Sequence, residues 1–371
     1  MKMDWKKDNL VHIANSLRAY YHLPLFHKSD EQLDQWLLER KPEQIIVLLI
    51  DGLGKYQIEQ LAKAKCFLKQ HCKRYVETVF PPTTAAATTS FLSGKYPCEH
   101  GWLGWQQYFE EIDEHLVMFL NRSYYQKKPY WQPHYTYEHV AVNSLVQDCL
   151  ANGILATEIY PAFRKGGVHS FKEMCQRIVK ESQSQRAPCI YAYWDEFDDC
   201  MHHYGVHAVE SKAMLENYDE LMAHYFPSLS AKSALLIIAD HGQIDVTCHC
   251  MVQDEQLMRC LRRLPSLEGR ALSFSIQDGK HQMFKEHFQE KYGNSFILLS
   301  KTEVLQEHIF GEGNNHPLFT SFIGDYLAIA IGDEQLIYDD SYAVKGSHAG
   351  YTKEERMIPI ICFQREDEAK K

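Results

Sequence analysis

Residues 44–51 read QIIVLLID, and residues 80–94 read FPPTTAAATTSFLSG. The first stretch is an unbroken apolar run of strand length, with no polar alternation, which is the pattern of a parallel strand buried on both faces. It stops abruptly at Asp51-Gly52, so a carboxylate emerges at the C-terminal edge of the sheet, where ligands gather in open α/β folds. In the second stretch, Pro81-Pro82 leads into a threonine pair and an alanine-rich run that ends at Gly94. This predicts a helix with hydroxyls in its first turn. A hydroxyl at that place lies among unpaired N–H groups at the positive end of the helix dipole, an environment suited to a nucleophile that attacks phosphorus.

Working outward, the same strand-then-acid pattern recurs. Residues 189–194 (CIYAYW) run into Asp195, Glu196, Asp198 and Asp199, followed by a helical segment with His202, His203 and His207. Residues 234–239 (ALLIIA) end in Asp240-His241-Gly242, and Gly346-Ser347-His348-Ala349-Gly350 precedes a last apolar strand at 357–363. Asp198 and His202 stand one helical turn apart, so both can reach one ion. Any one of these acids can be a loop cap, and Asp198 with His202 can be an exposed helical ion pair. Four such segments in one chain point instead to metal ligands: Asp51; Asp198 with His202; Asp240 with His241; and His348.

Thr83, Thr88 and Thr89 compete with Thr84 for the nucleophile's place, since each can be a plain cap or core hydroxyl. His203 and His207 read as surface or core histidines. Cys248-His249-Cys250 lacks the matching second pair of a zinc site, so its thiols read as residues of a strand. The aromatics Trp102, Trp105, Tyr108 and Trp194 are either core or pocket lining.

Composition narrows the classes. The chain has 371 residues, a net charge of -10, 20 histidines and 11 cysteines. The acidic balance argues against a nucleic acid polymer as partner, which needs clustered Lys and Arg. The odd, scattered cysteines fit a reducing compartment, the apolar runs are too short to span a membrane, and the N-terminus lacks a secretory pattern. A cytoplasmic protein with a small phosphorylated substrate is expected, and the sequence permits a homo-oligomer.

Residues 1–42 carry two helical patterns separated by Pro24, and a further helix is expected over 56–70. The aromatic and glycine-rich stretch 100–135 reads as a structured loop region. Gly52-x-Gly54 lacks the third glycine of a dinucleotide fingerprint, and Gly94-Lys95 lacks the remainder of a P-loop. From 245 to 344 the chain reads as strand, helix, strand and a further strand, an inserted α+β unit. The charged tail is expected to be frayed.

Taken together, LLIDGLG, FPPTTAAATTSFLSGKYPCEHG, EFDDCMHHYG, IIADHG and GSHAG occur in the order of one known family. The chain resembles the alkaline phosphatase superfamily, and within it the type I phosphodiesterase/nucleotide pyrophosphatase branch. That resemblance implies an α/β fold with a mostly parallel central sheet, helices on both faces and a small inserted α+β subdomain. The resemblance covers most of 44–363, with 245–344 as a variable insertion, so a catalytic core of 43–244 and 345–371 is expected, with the helical segment 1–42 packed on it. The family's spacing, counted back from Gly94, implies Thr84 as nucleophile. One divalent ion is then held by Asp198, His202 and His348, the other by Asp51, Thr84, Asp240 and His241. Zinc is usual in such enzymes, and the Asp/His sets also accept manganese or iron. The implied reaction is hydrolysis of a phosphodiester or pyrophosphate through a phospho-threonine, with monoester or phosphonate hydrolysis or phosphomutase activity as alternatives in the same superfamily. A metal-binding scaffold without turnover is the alternative of another class. Two places depart from the branch: Ala85 replaces the aromatic that stacks on a base, and Trp105 falls where an Asn steadies a phosphate oxygen. Both are candidate substrate-binding positions.

Overall fold

The structure is a computed structural model that describes residues 4–5, 7–129 and 134–365. Residues 130–133 of the aromatic stretch and the charged tail beyond 365 lie outside the described residues. The N-terminal helices are α1 (Leu10–Tyr20) and α2 (Glu31–Arg40), capped by the side chains of Asn9 and Asp30. Next come β1 (Gln44–Ile50), α3 (Lys55–Leu61), α4 (Phe67–His71), β2 (Cys72–Glu77) and α5 (Thr84–Ser93).

The single helix expected over 56–70 is therefore two. Asp219, from a distant helix, accepts the backbone N–H groups of Phe67 at 3.0 Å and Leu68 at 2.8 Å, so a new first turn begins there. By contrast, α5 starts and stops where its sequence says. Gly94 closes it in the left-handed region at φ 74°, and Asn15 of α1 donates to the Gly94 carbonyl at 2.8 Å.

Further along are β3 (Gln106–Phe109), β4 (Glu114–Val117), β5 (Arg122–Ser123), β6 (Ala156–Ile159), β7 (Cys189–Trp194) and β8 (Ser233–Ile238). The six-stranded central sheet has the order β2, strand Met357–Phe363, β8, β1, β7, β6. The pairs among β8, β1, β7 and β6 are parallel, and Met357–Phe363 is antiparallel to both its neighbours. Every residue of β1 and β8 is buried, as an unalternating apolar run requires. Register then does the positioning: Ile50 pairs Trp194 and Leu49 pairs Ile238, so Asp51, Asp195 and Asp240 all leave the sheet at one edge.

A second sheet of seven strands runs in the order Phe296–Ser300, Tyr326–Ala330, Ala271–Ile276, Leu261–Leu267, β3, β4, β5. Four strands come from within 245–344, and helix His281–Tyr292 packs its phenylalanines into a separate apolar cluster there. The other three come from the stretch expected to be loop. They are short, and β3 is buried at all four positions, so no alternation marks it as a strand.

Candidate active site

At the C-terminal edge of the central sheet, side chains from four segments converge. Asp51, Asp240 and His241 form one group, and Asp198, His202 and His348 a second, each with donor atoms within 4.8 Å of one another. In the first, His241 Nε2 lies 3.3 Å from Asp51 Oδ1 and 3.4 Å from Asp240 Oδ2. In the second, Asp198 approaches His202 Nε2 at 3.0 Å and His348 Nε2 at 3.9 Å. The His241 and His348 rings stack with centroids 3.8 Å apart, so the two groups are contiguous.

Thr84 opens α5 beside the first group. Its Oγ1 is 3.3 Å from Asp51 Oδ2 and 3.2 Å from His241 Nε2. Thr83 is buried and its hydroxyl is committed to Glu268, while Thr88 is buried with its hydroxyl on the Thr84 carbonyl. Thr83 occupies the N-cap without capping, which leaves the first-turn N–H groups of α5 without a side-chain partner.

The donor set fits divalent cations. Each histidine has its Nδ1 against a backbone carbonyl: His202 on Gly346 at 2.8 Å, His348 on Pro82 at 3.1 Å and His241 on Gly242 at 3.1 Å. A carbonyl only accepts, so Nδ1 carries the hydrogen and Nε2 turns its lone pair to the centre. Asp240 Oδ1 accepts from the Gly52 and His241 N–H groups, yet Oδ2 is buried with no hydrogen-bond partner. An orphan carboxylate oxygen of this kind asks for a cation.

Protonation tells the same story. Burial, joined by the neighbouring Asp51 charge, drives the Asp240 carboxyl well above its ordinary range. At His241 burial works against the imidazolium, but Asp240 and Asp51 override it and pull the ring up to about 10. At His202 burial is likewise overcome by Asp198, which raises the ring to about 9. His348 goes the other way, held well below its ordinary value by burial and the neighbouring His241 charge. The carboxylates thus draw protons onto two of the three buried rings, a demand for positive charge that a metal ion would meet.

The turns that carry these acids are locked backbone to backbone. A Cβ placed on Gly54 would meet the Gly242 Cα at 2.5 Å, so only glycine allows this approach. The Gly242 N–H donates to the Glu355 carbonyl at 2.8 Å, and the Glu355 carboxylate accepts from the Gly350 N–H at 2.7 Å in the loop behind His348. Arg270, at the head of a second-sheet strand, holds the same carboxylate through Nε at 2.8 Å and Nη2 at 2.9 Å. Both side chains are fully buried.

A sequence model of the type I phosphodiesterase / nucleotide pyrophosphatase family matches residues 45–348. The chain belongs to this family. It is thus a phosphoric ester hydrolase of the alkaline phosphatase superfamily, a metal-dependent group. No curated protein is matched by sequence. Solved structures share the fold. An inactive variant of murine ectonucleotide pyrophosphatase/phosphodiesterase 5, in complex with AMP, is 13% identical at a TM-score of 0.62, covering 85% of this chain and 87% of its own. Its human counterpart is 14% identical at 0.64, covering 86% and 88%. Phosphonoacetate hydrolase from Sinorhizobium meliloti, in complex with phosphonoformate, is 15% identical at 0.63, covering 88% and 91%.

Within this family member, a cavity of about 490 Å³ opens over the centre and is lined by Asp51, Thr84, Trp105, Asp198, His202 and His348 among others. The two departures from the branch separate here. Trp105 stands in the lining, whereas the Ala85 side chain is fully buried in α5 and outside it, which leaves only the backbone of Ala85 to meet a substrate.

Two residues beside Thr83 and Thr84 carry no signal in the sequence. Tyr193 gives its hydroxyl to Asp51 Oδ2, and burial with the Asp51 charge keeps that phenol protonated. Glu268 accepts the Thr83 hydroxyl at 2.5 Å and the Trp105 N–H at 2.6 Å, and burial pushes its carboxyl up to about 7. Tyr193 alternates within an aromatic strand and Glu268 is a lone acid in a turn, so neither carried a local signal. Among the described residues no helix is long and apolar enough to cross a membrane.

Proposed function

We propose that this hydrolase cleaves a phosphodiester or pyrophosphate through a covalent intermediate on Thr84. The observation that carries the reading is the place of Thr84 Oγ1, 3.3 Å from Asp51 and 3.2 Å from His241 at the uncapped start of α5. Asp51, Asp240 and His241 with Thr84 would hold one divalent ion, and Asp198, His202 and His348 the other. Zinc would suit these Asp/His sets, and manganese or iron is compatible with them. When bound, such ions supply Lewis-acid charge at the phosphoryl group and at the attacking and departing oxygens.

The rest is the chain's own work. Thr84 Oγ1 forms the new bond to phosphorus as the bond to the leaving oxygen breaks, and the hydroxyl proton is directed toward Asp51. Tyr193 orients the Asp51 carboxylate by donating to its Oδ2. The free N–H groups of the first turn of α5 face the phosphoryl oxygens as charge develops on them. Water then cleaves the Thr84 O–P bond, releases the phosphoryl product and restores the hydroxyl.

The Sinorhizobium phosphonoacetate hydrolase has a related fold, which favours phosphonate hydrolysis as a second reading. Turnover of p-nitrophenyl phosphate against bis-p-nitrophenyl phosphate, with and without added zinc, tests the reading. Cleavage of the diester ahead of the monoester, dependent on metal, is expected. A metal-loaded protein that cleaves neither ester, and on which Thr84→Ala has no effect across a wider substrate panel, would be a binding protein instead.

A further inference from the structure

The cavity has two unlike halves. One is the cation centre with Thr84. The other is supplied by the second sheet and the segments beside it, through Trp105, Tyr124, Tyr125, Leu336, Tyr338 and Tyr342. The tyrosines pack on one another: Tyr124 meets Tyr125 at 5.0 Å and Tyr342 at 5.1 Å, and Tyr125 meets Tyr338 at 5.4 Å between ring centroids. Among the described residues that line the cavity there is no lysine and no arginine. Lys127 stacks on the Tyr342 ring at 4.5 Å and is not part of the lining. Acids are present, since Asp195, Asp199 and Glu268 border the same space.

One phosphoryl group is met by the cation centre. A second anionic group on the same substrate would have to lie against carboxylates and the negative faces of aromatic rings, losing its hydration with no partner in exchange. An apolar or aromatic organic group gains there, by stacking and by leaving water. Glu268 stands at the boundary of the two halves. Its Oε1 takes both the Thr83 hydroxyl and the Trp105 N–H, and no described hydrogen bond engages its Oε2.

We propose that this enzyme takes phosphodiesters whose organic groups carry no second negative charge, and that Glu268 is the specificity-determining residue that turns away a second anion. This rests on the phosphoryl-transfer reading above and narrows it from pyrophosphates toward diesters of alcohols that bear no further anion.

The test uses the metal-loaded full chain at about pH 8.5, where the Glu268 carboxyl is ionised, and a matched pair, phenyl p-nitrophenyl phosphate and 4-carboxyphenyl p-nitrophenyl phosphate, followed by release of p-nitrophenolate. The carboxylate ester should have a kcat/KM about tenfold lower or less still, from one added charge repulsion in a partly desolvated site. Glu268→Gln keeps an oxygen acceptor for both donors and removes the charge. It should narrow that ratio to within about threefold, whatever happens to the absolute rates. The ratio is the informative quantity, because partial unfolding lowers both rates together. Tyr338→Arg adds a cation to the opposite wall and should narrow it too, which keeps a test available if Glu268→Gln does not fold. A wild-type ratio near one, or a ratio that neither variant moves, overturns the selection and leaves the hydrolase reading standing. Failure of the wild type to cleave either ester removes both.

Discussion

Glu355 has no direct contact with the cation groups, yet the structure makes it the tie between them and the second sheet. Replacing it with alanine leaves the Arg270 guanidinium fully buried, with only the Glu334 and Gly332 carbonyls, each at 2.7 Å, for company. An uncompensated buried charge costs about 3–5 kcal/mol. The converse variant, Arg270→Ala, leaves a carboxylate that still accepts from the Gly350 N–H, the Thr352 N–H and the Thr352 hydroxyl, so its cost should fall at the lower end of that range. In the double variant Arg270→Ala/Glu355→Ala no charge is stranded, only neutral donors and carbonyls. It should therefore be less destabilised than the sum of the single changes by at least about 2 kcal/mol. Urea midpoints in excess zinc, with slopes checked for a single transition, measure all three. Because the Glu355 carboxylate also holds the Gly350 N–H in the loop behind His348, the alanine variant should retain less than its full complement of zinc after gel filtration, even though its carbonyl still accepts from Gly242. Additivity of the two single changes within about 0.5 kcal/mol, or full zinc retention by Glu355→Ala, would refute the reasoning.

Three further outcomes are expected. Thr84→Ala should lower turnover of bis-p-nitrophenyl phosphate about a thousandfold or more, while Asp51, Asp240 and His241 still hold metal in excess zinc; full turnover by the metal-loaded variant would remove Thr84 from the reaction. Chelation should abolish activity and lower the unfolding free energy by about 2.7 kcal/mol for each ion, relative to protein kept at a hundred times that ion's Kd, and zinc should restore both. The third concerns Glu268, whose folded-state pKa is raised from 4.5 to about 7 by burial. Its contribution to stability is full below the unfolded value and is lost as pH rises through the folded one, so in metal-free protein Glu268→Gln should match the wild type near about pH 4 and exceed it by about 1–2 kcal/mol near about pH 8.5. Urea midpoints at the two pH values decide it, and equal midpoints at the higher pH would count against the shift.

Where the chain announces its fold, it does so through repetition. Three apolar runs each end in an acid, and parallel register delivers Asp51 and Asp240 to one edge once β1 and β8 pair. The helical spacing of Asp198 and His202 already implied a shared direction, and the helix Glu196–Tyr204 provides it. What stayed hidden depends on partners far along the chain. The break between α3 and α4 is made by Asp219, β3 is too short and too buried to show a period, and Glu268 gains its setting only when a turn of the second sheet lies against α5. A lone Glu followed by Gly looks like any solvent-facing turn. Ala85 is the opposite case, a position flagged by alignment to a motif and then turned inward by the rotation of its helix.

The contact between Gly54 and Gly242 gives the first cation group an unusual property. Its aperture is set by two main chains in touch and not by rotamers, so it behaves like a fixed gauge. Repacking of the apolar layer beneath can drift without altering the gap that an ion must fill. Only a side chain wedged between those two turns resets the dimension, and it would do so for Asp51 and Asp240 in a single step.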